Sequence, residues 1–341
     1  MSLKVVCYGV RPNEVEYFKK LNRYHFELLF VEELLTYDNV EAAAGMDAVI
    51  LRGNCLADRK NIEKIAGYGV KYLFTRTVGY NHIDLEAAAD YHLSVARVPS
   101  YSPNAIAELS LTLAMSLLRH TAYTTNRTAK KNFIVDRTMF SKEIRNCTVG
   151  ILGTGKIGLT EAKLFKGLGA NVLGYDIFKS EAAKAVVTFK ELDDLLAESD
   201  IVSIHVPYFA GENDKFVNSD FVKKMKNGAI LINTARGELQ DNKAILEAVQ
   251  SEKLSGFATD VFENESSIFF KKFDGKIDIP DPVVKALVEL YPRVLVTPHI
   301  GSNTDEALLN MIETSYENLN DILTNGKTQN EVLLPNNKVK L

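Results

Sequence analysis

Cysteine is scarce in this chain of 341 residues: Cys7, Cys55 and Cys147 are its only three. They lie far apart, with neither CxxC spacing nor an even count, which argues against a disulfide framework or a cysteine zinc site and for reduced thiols in a cytoplasmic protein. An excess of charge of one sign is nearly missing too. Forty basic residues face 44 acidic ones, a net of −4, so no overall attraction draws the chain to nucleic acid or anionic membrane. No apolar run reaches the roughly 18–20 residues that span a bilayer, and residues 1–10 lack signal-peptide architecture. Sequons at Asn126, Asn146 and Asn264 are then chance matches. No repeat of 20–50 residues and no low-complexity tract is visible.

What is there is a rhythm. Short β-rich runs alternate with helical patterns, the signature of parallel sheets covered by helices on both faces. The runs 3–8, 26–30, 47–51, 71–75 and 93–98 form a first series. Ser102-Pro103-Asn104 then opens a long apolar-periodic stretch to about His120. A second series follows at 148–152, 171–175, 200–205, 229–233, 256–260 and 293–297, the six runs of a full Rossmann sheet. Residues 264–291 are polar and contain proline, and read as an insertion between the last two strands. A final amphipathic stretch from Thr304 to about Thr324 cannot extend a complete sheet, so it is expected to return to the first domain. The expected fold is α/β, with two Rossmann-like doubly wound parallel-sheet domains. One is discontinuous (1–101 plus 300–341) and the other runs from 102 to 299.

The first motif with chemistry in it lies at the start of the second series. Gly153-Thr-Gly155-Lys-Ile-Gly158 follows an apolar strand and precedes a helix. Gly153 suits a tight turn, Gly155 a close approach of backbone to pyrophosphate, and Gly158 close helix–strand packing. Backbone N–H groups near Lys156 and Ile157 would hold the phosphates. Asp176 closes the next strand, 18 residues beyond Gly158, where a carboxylate can accept from both ribose hydroxyls. The same charge repels a 2′-phosphate, so the pattern favours NAD over NADP.

Ligands of open α/β sheets sit outside the carboxyl ends of the strands, which singles out ionisable groups just after strands. Three places qualify: Arg236, the acids of the stretch Asp260-Val-Phe-Glu-Asn-Glu265, and His299. Each has a bland alternative: a surface arginine, solvated acids, a loop histidine. Together they meet the needs of hydride transfer to a 2-oxo acid. His299, with an ordinary pKa near ~6.5, can donate the proton to the developing alkoxide. A neighbouring carboxylate, Glu263 or Glu265, would orient its ring and raise its pKa. Arg236 offers a planar fork for the substrate carboxylate. The nicotinamide supplies the hydride. His82, His205 and the other candidates lack partner spacing for a metal, and none is expected. The locally basic stretch 119–131 reads as a solvated helix end rather than a nucleic-acid patch.

These residues, with residues 75–84, 98–108, 205–207, 232–237 and 297–299, make the chain resemble the D-isomer-specific 2-hydroxyacid dehydrogenases, in particular the D-lactate and (R)-2-hydroxyglutarate branch. The resemblance runs over nearly the whole chain. It implies Arg236 as the catalytic arginine, His299 as the proton donor and Glu265, rather than Glu263, as its orienting acid. It also implies Val78 and Gly79 as backbone donors to the substrate carboxylate and Tyr101 as a substrate-facing ring. Cofactor contacts are implied at Lys156, Ile157, Asp176, Val206, Pro207, Thr234, Ala235 and Asp260. Asn213 is implied as well, in a stretch, 208–214, that departs in length from the family pattern. An interdomain cleft and a homodimer are further implications. Arg52, ending the third strand run, departs from the D-lactate pattern. It is expected either to read a distal substrate carboxylate, favouring 2-oxoglutarate-like acids, or to form a surface or interdomain salt bridge. The main rival reading is an NADH-sensing, corepressor-like binding module on the same fold, disfavoured because no peptide-recruiting extension flanks the core.

Overall fold

The structure is a computed structural model that describes residues 2–275 and 278–332; part of the tail expected beyond residue 324 lies outside them. The chain divides into two compact units, one made of the described residues up to Ser102 together with those from Asn303 on, the other of Pro103–Ser302. The divisions at 102/103 and 302/303 replace those expected at 101/102 and 299/300.

The first unit carries five parallel strands: β1 (Lys4–Tyr8), β2 (Glu27–Val31), β3 (Ala48–Leu51), β4 (Tyr72–Thr75) and β5 (Ser94–Ala96). Their order, β2-β1-β3-β4-β5, is the flavodoxin-like one. Side chains alternate across a strand, so one apolar run feeds two cores. Val6, Val49, Leu51 and Leu73 point into one. Val5, Cys7, Ile50 and Phe74 point into the other, where the helix Asp305–Asn325 lays Leu308, Ile312, Tyr316 and Leu319 against Phe18. Each fully buried side chain of this size is worth roughly 1.5–3 kcal/mol, enough to hold a distant chain segment on the sheet. Thr304 caps that helix by accepting from the Ala307 N–H, and Gly326 ends it in the left-handed region.

The second unit is built on β6 (Thr148–Leu152), β7 (Asn171–Tyr175), β8 (Thr188–Phe189), β9 (Ile201–Ile204), β10 (Ala229–Asn233), β11 (Leu254–Thr259) and β12 (Val294–Val296). All are parallel, in the order β12-β11-β10-β9-β6-β7-β8. Among the described residues the sheet therefore has seven strands, not six. The missed one, β8, is two residues long and too short to show a pattern. It completes the Rossmann half on the β7 side, and β12 extends the other edge. The supposed insertion also contains order: Asp281 caps a helix at Pro282–Glu289, whose Val284 and Leu287 join the core. Polar flanks hid that helix.

Candidate active site

The sheet reverses its winding between β6 and β9, which places the following loops around one crevice of the second unit. Gly153 ends β6 with a φ of +89°, and a Cβ there would lie 2.7 Å from the backbone of His205. Only glycine fits. A Cβ on Gly158 would overlap the carbonyl oxygen of Gly153, so the helix Lys156–Gly167 sits directly on the turn. Above Gly155, the helix N-cap, a Cβ would meet nothing within 4 Å. The first N–H groups of the helix, those of Lys156 and Ile157 among them, have no intrahelical acceptors. Asp176 is already engaged: its Oδ2 accepts from the Thr154 N–H at 2.6 Å and hydroxyl at 3.1 Å, and its Oδ1 accepts from the Phe178 N–H at 2.9 Å. These contacts take three of the about four lone-pair sites of the carboxylate.

On the opposite side of the crevice, the loops after β10, β11 and β12 bring Arg236, Glu265 and His299 together. Nδ1 of His299 lies 2.7 Å from Oε1 of Glu265, while Glu263 is exposed and turned to solvent. His299 has a φ of +53°, a left-handed conformation costly for a non-glycine residue and common where function fixes a side chain. Asp260 holds it there. Its carboxylate accepts from Thr297 Oγ1 at 2.6 Å and from the N–H groups of Ile300 and Gly301, each at 2.8 Å. Its backbone carbonyl accepts from the His299 N–H at 3.1 Å. Asp260, expected at the cofactor, thus commits both oxygens to the histidine turn.

Arg236 stands at the start of a turn that Asn233 fixes by donating to the Arg236 carbonyl at 2.9 Å. A Cβ on Gly237 would collide with the backbone of Phe262 and Glu263, so the arginine turn and the Glu265 loop are in direct contact. Thr234 is buried with its hydroxyl 2.6 Å from that of Ser110, and the Ala235 N–H donates to Asn233. Burial of the His299 ring pushes its pKa down, but the hydrogen bond and charge of Glu265, helped by Asp260, outweigh this and the opposing charge of Arg236. The result is an imidazole held above its ordinary value. Such a group, with a guanidinium near enough to act on its charge, can deliver a proton to an oxygen that gains charge.

Residues 111–301 match the family model of the D-isomer-specific 2-hydroxyacid dehydrogenase NAD-binding domain. An aromatic 2-oxoacid reductase of Clostridium sporogenes is 36% identical over 96% of this chain and 99% of its own. A D-lactate dehydrogenase of Lactiplantibacillus plantarum is 36% identical over 97% of this chain and 99% of its own. The chain belongs to the D-isomer-specific 2-hydroxyacid dehydrogenase family. It is an NAD-dependent oxidoreductase acting on the CH–OH group of D-2-hydroxy acids. The solved NAD-complexed D-isomer-specific dehydrogenase of Lactobacillus delbrueckii superposes with a TM-score of 0.82 at 33% identity, covering 96% of this chain and 99% of that one.

The first unit of the dehydrogenase carries the remaining candidates. Val78 and Gly79 lie in the turn after β4, where the Thr77 hydroxyl donates to the Gly79 carbonyl at 2.7 Å and Arg97 donates to the Val78 carbonyl at 3.0 Å. The Tyr101 carbonyl accepts from Asn310 at 2.6 Å. Arg52 follows β3, packed so closely on Gly9 that a Cβ there would lie 2.9 Å from its own. Burial, and next the charges of Arg11 and Arg76, lower the Arg52 pKa to about 10 against the help of Glu14. In the second unit, Val206 and Pro207 lead from β9 into a loop closed on itself, in which Asn213 donates to the Pro207 carbonyl and accepts from the Phe209 N–H. Sequence reasoning gave no role to Asn233, Thr297 or Glu161, and took His205, which pairs with the buried Glu161, only as a structural or cofactor-side residue. Spacing alone carries no mark of such support. Among the described residues no group of three or more His, Cys, Asp or Glu side chains could hold a metal ion, and no helix is long and apolar enough to cross a membrane.

Proposed function

We propose that this dehydrogenase reduces small 2-oxo acids, of pyruvate or 2-oxoglutarate type, with His299 as the proton donor. The observation that carries the reading is the 2.7 Å contact between His299 and Glu265, which orients the ring and favours its protonated form, against the opposing effect of burial. Glu265 orients the donor. Arg236 receives the substrate carboxylate and polarises the ketone. Val78, Gly79, Tyr101 and Arg52 complete the substrate set. The open space over Gly155 and the free helix N-terminus fit a dinucleotide. Gly153, Gly155, Lys156, Ile157, Gly158, Asp176, Val206, Pro207, Asn213, Thr234 and Ala235 would hold it, Asp260 acting through the turn it fixes. When bound, reduced NAD supplies the hydride. Every other requirement falls to the chain's own groups: one charge to fix the acid, one proton to meet the alkoxide.

The reading includes a homodimer in the cytoplasm. The exposed run of Phe133, Ile134, Val135 and Phe140 supports a covered surface, and the three buried free thiols suit a reducing compartment.

The test is His299→Ala, assayed for NADH oxidation with pyruvate, phenylpyruvate, 2-oxoisocaproate, 2-oxoglutarate and oxaloacetate. Turnover on the preferred acid should fall about 10²–10⁴-fold while NADH still binds. Turnover within a few-fold of the parent enzyme overturns the assignment.

A further inference from the structure

The turn proposed to receive the substrate carboxylate is held from behind. The peptide groups on both sides of Val78 are trans, the single cis bond among the described residues being Tyr291–Pro292. In a planar trans peptide the carbonyl and the N–H point in opposite directions. Whatever grips the carbonyl therefore aims the N–H. The Thr77 carbonyl accepts from the Val98 N–H at 3.2 Å, which turns the Val78 N–H the other way. The Val78 carbonyl accepts from Nη1 of Arg97 at 3.0 Å, which does the same for the Gly79 N–H. Neither N–H has an acceptor among the described residues.

Arg97 itself is fixed to an unusual degree for a half-buried side chain. Its guanidinium lies over the Tyr80 ring, 5.4 Å from the centroid. Its backbone N–H donates to the Asn330 carbonyl at 3.1 Å, and its carbonyl accepts from Asn318 at 3.0 Å. Asn318 is buried, and its Oδ1 collects Thr328 and Asn330, both at 2.8 Å. From the front of the turn, the Thr77 hydroxyl holds the Gly79 carbonyl and stands 2.8 Å from the Thr75 hydroxyl, which reaches His82 at 3.2 Å. Burial pushes His82 down to about 4, so the contacts running from Gly79 through Thr77 and Thr75 to His82 stay uncharged near neutral pH.

We propose that Arg97 is a positioning residue for the substrate carboxylate: through the Val78 carbonyl it orients the Gly79 N–H and, as a charged donor on the same amide, makes that N–H a stronger donor. The second effect follows because hydrogen bonds in a chain polarise one another. The proposal rests on the reading that the 78–79 amides bind the carboxylate, and it adds a residue that need never touch substrate.

The test compares a good 2-oxo acid with its primary amide, which keeps the ketone but not the anionic oxygen pair, in the parent enzyme, Arg97→Met, Arg97→Lys and Thr77→Val. NADH titration and thermal melting check that each variant folds. Arg97→Met should raise KM for the acid about 10–50-fold, the effect expected when a charge-assisted contact is lost, with kcat changed only a few-fold. KM for the amide should move less than about twofold, Arg97→Lys should recover much of the loss, and Thr77→Val should show a weaker effect in the same direction. If acid and amide worsen together, or neither worsens, Arg97 has no such role and the carboxylate reading stands. If the parent enzyme itself does not prefer acid to amide, that reading falls and the proposal with it.

Discussion

Asp260 and His299 are joined through backbone rather than ring: the carbonyl of Asp260 takes the His299 N–H at 3.1 Å, and its carboxylate takes the next two N–H groups. A histidine at a φ of +53° is thereby fixed on its main chain, and Glu265 has only the ring left to orient. Division of these tasks is what makes Glu265 separable by mutation. A change at 265 alters the imidazole while Asp260 keeps the turn.

Glu265→Gln removes the leading force that raises the His299 pKa, leaving burial and the Arg236 charge to lower it against Asp260. Reduction needs the protonated ring, so the rate falls as pH rises through this pKa. In the parent enzyme that fall comes at higher pH than for an ordinary imidazole. In the variant it moves to lower pH, with turnover at pH 7.5 reduced roughly tenfold or more. The pH profile of kcat/KM checks this; an unmoved limb denies Glu265 its role.

Both sheets were legible in the sequence because parallel strands buried on two faces announce themselves as apolar runs. So was the glycine turn, where the backbone tolerates no other side chain. The conjunction of Arg236, the acids of 260–265 and His299 follows from asking which charged groups come after strands, and the family resemblance supplies the choice of Glu265. Glu265 over Glu263 was not decidable from spacing, since both sit in one loop and only its left-handed turn at Asn264 aims the second acid inward. Strand β8 and the helix Pro282–Glu289 escaped because one is too short and the other too polar at its ends. The commitments of Asp176 to Thr154 and of Asp260 to residues 297–301 are long-range hydrogen bonds, and no local pattern encodes them.

Arg52 stands near Arg11 and Arg76, and Glu14 lies near all three. If Arg52 also reads a distal substrate carboxylate, Arg52→Ala lowers the ratio of kcat/KM for 2-oxoglutarate over pyruvate about 10–100-fold, the range of a lost charged contact. Steady-state kinetics on the two acids decides. An unchanged ratio returns Arg52 to a structural role.

Asp176→Asn keeps an oxygen that can accept from the Thr154 N–H, so the glycine turn should survive. What goes is the charge that opposes a 2′-phosphate and the strength of any bond to a ribose hydroxyl. KM for NADH should rise about 10-fold or more while KM for NADPH falls, measured on the same 2-oxo acid. The Thr154 hydroxyl takes a second site on the oxygen that its N–H already holds, so Thr154→Val should free that one site and improve NADH binding modestly. A variant that loses NADH and NADPH equally would mean that Asp176 serves the loop alone.

Gly155 and Gly158 separate cofactor space from packing. Gly155 has an ordinary φ of −68°, and a methyl there meets no protein atom within 4 Å. Gly155→Ala should therefore melt like the parent in the absence of NADH, yet bind NADH at least about 10-fold more weakly, because the methyl stands where the pyrophosphate would approach. Gly158→Ala drives its methyl into the carbonyl oxygen of Gly153, under the helix that carries Ala162 and Phe165 into the core. Relief requires moving the helix, at a cost of about 1–3 kcal/mol or more, and the variant should melt earlier whether or not NADH is present. Melting curves and NADH titrations on the two proteins give opposite patterns if the space above Gly155 belongs to the dinucleotide. If Gly155→Ala binds NADH like the parent, the cofactor does not lie against this turn.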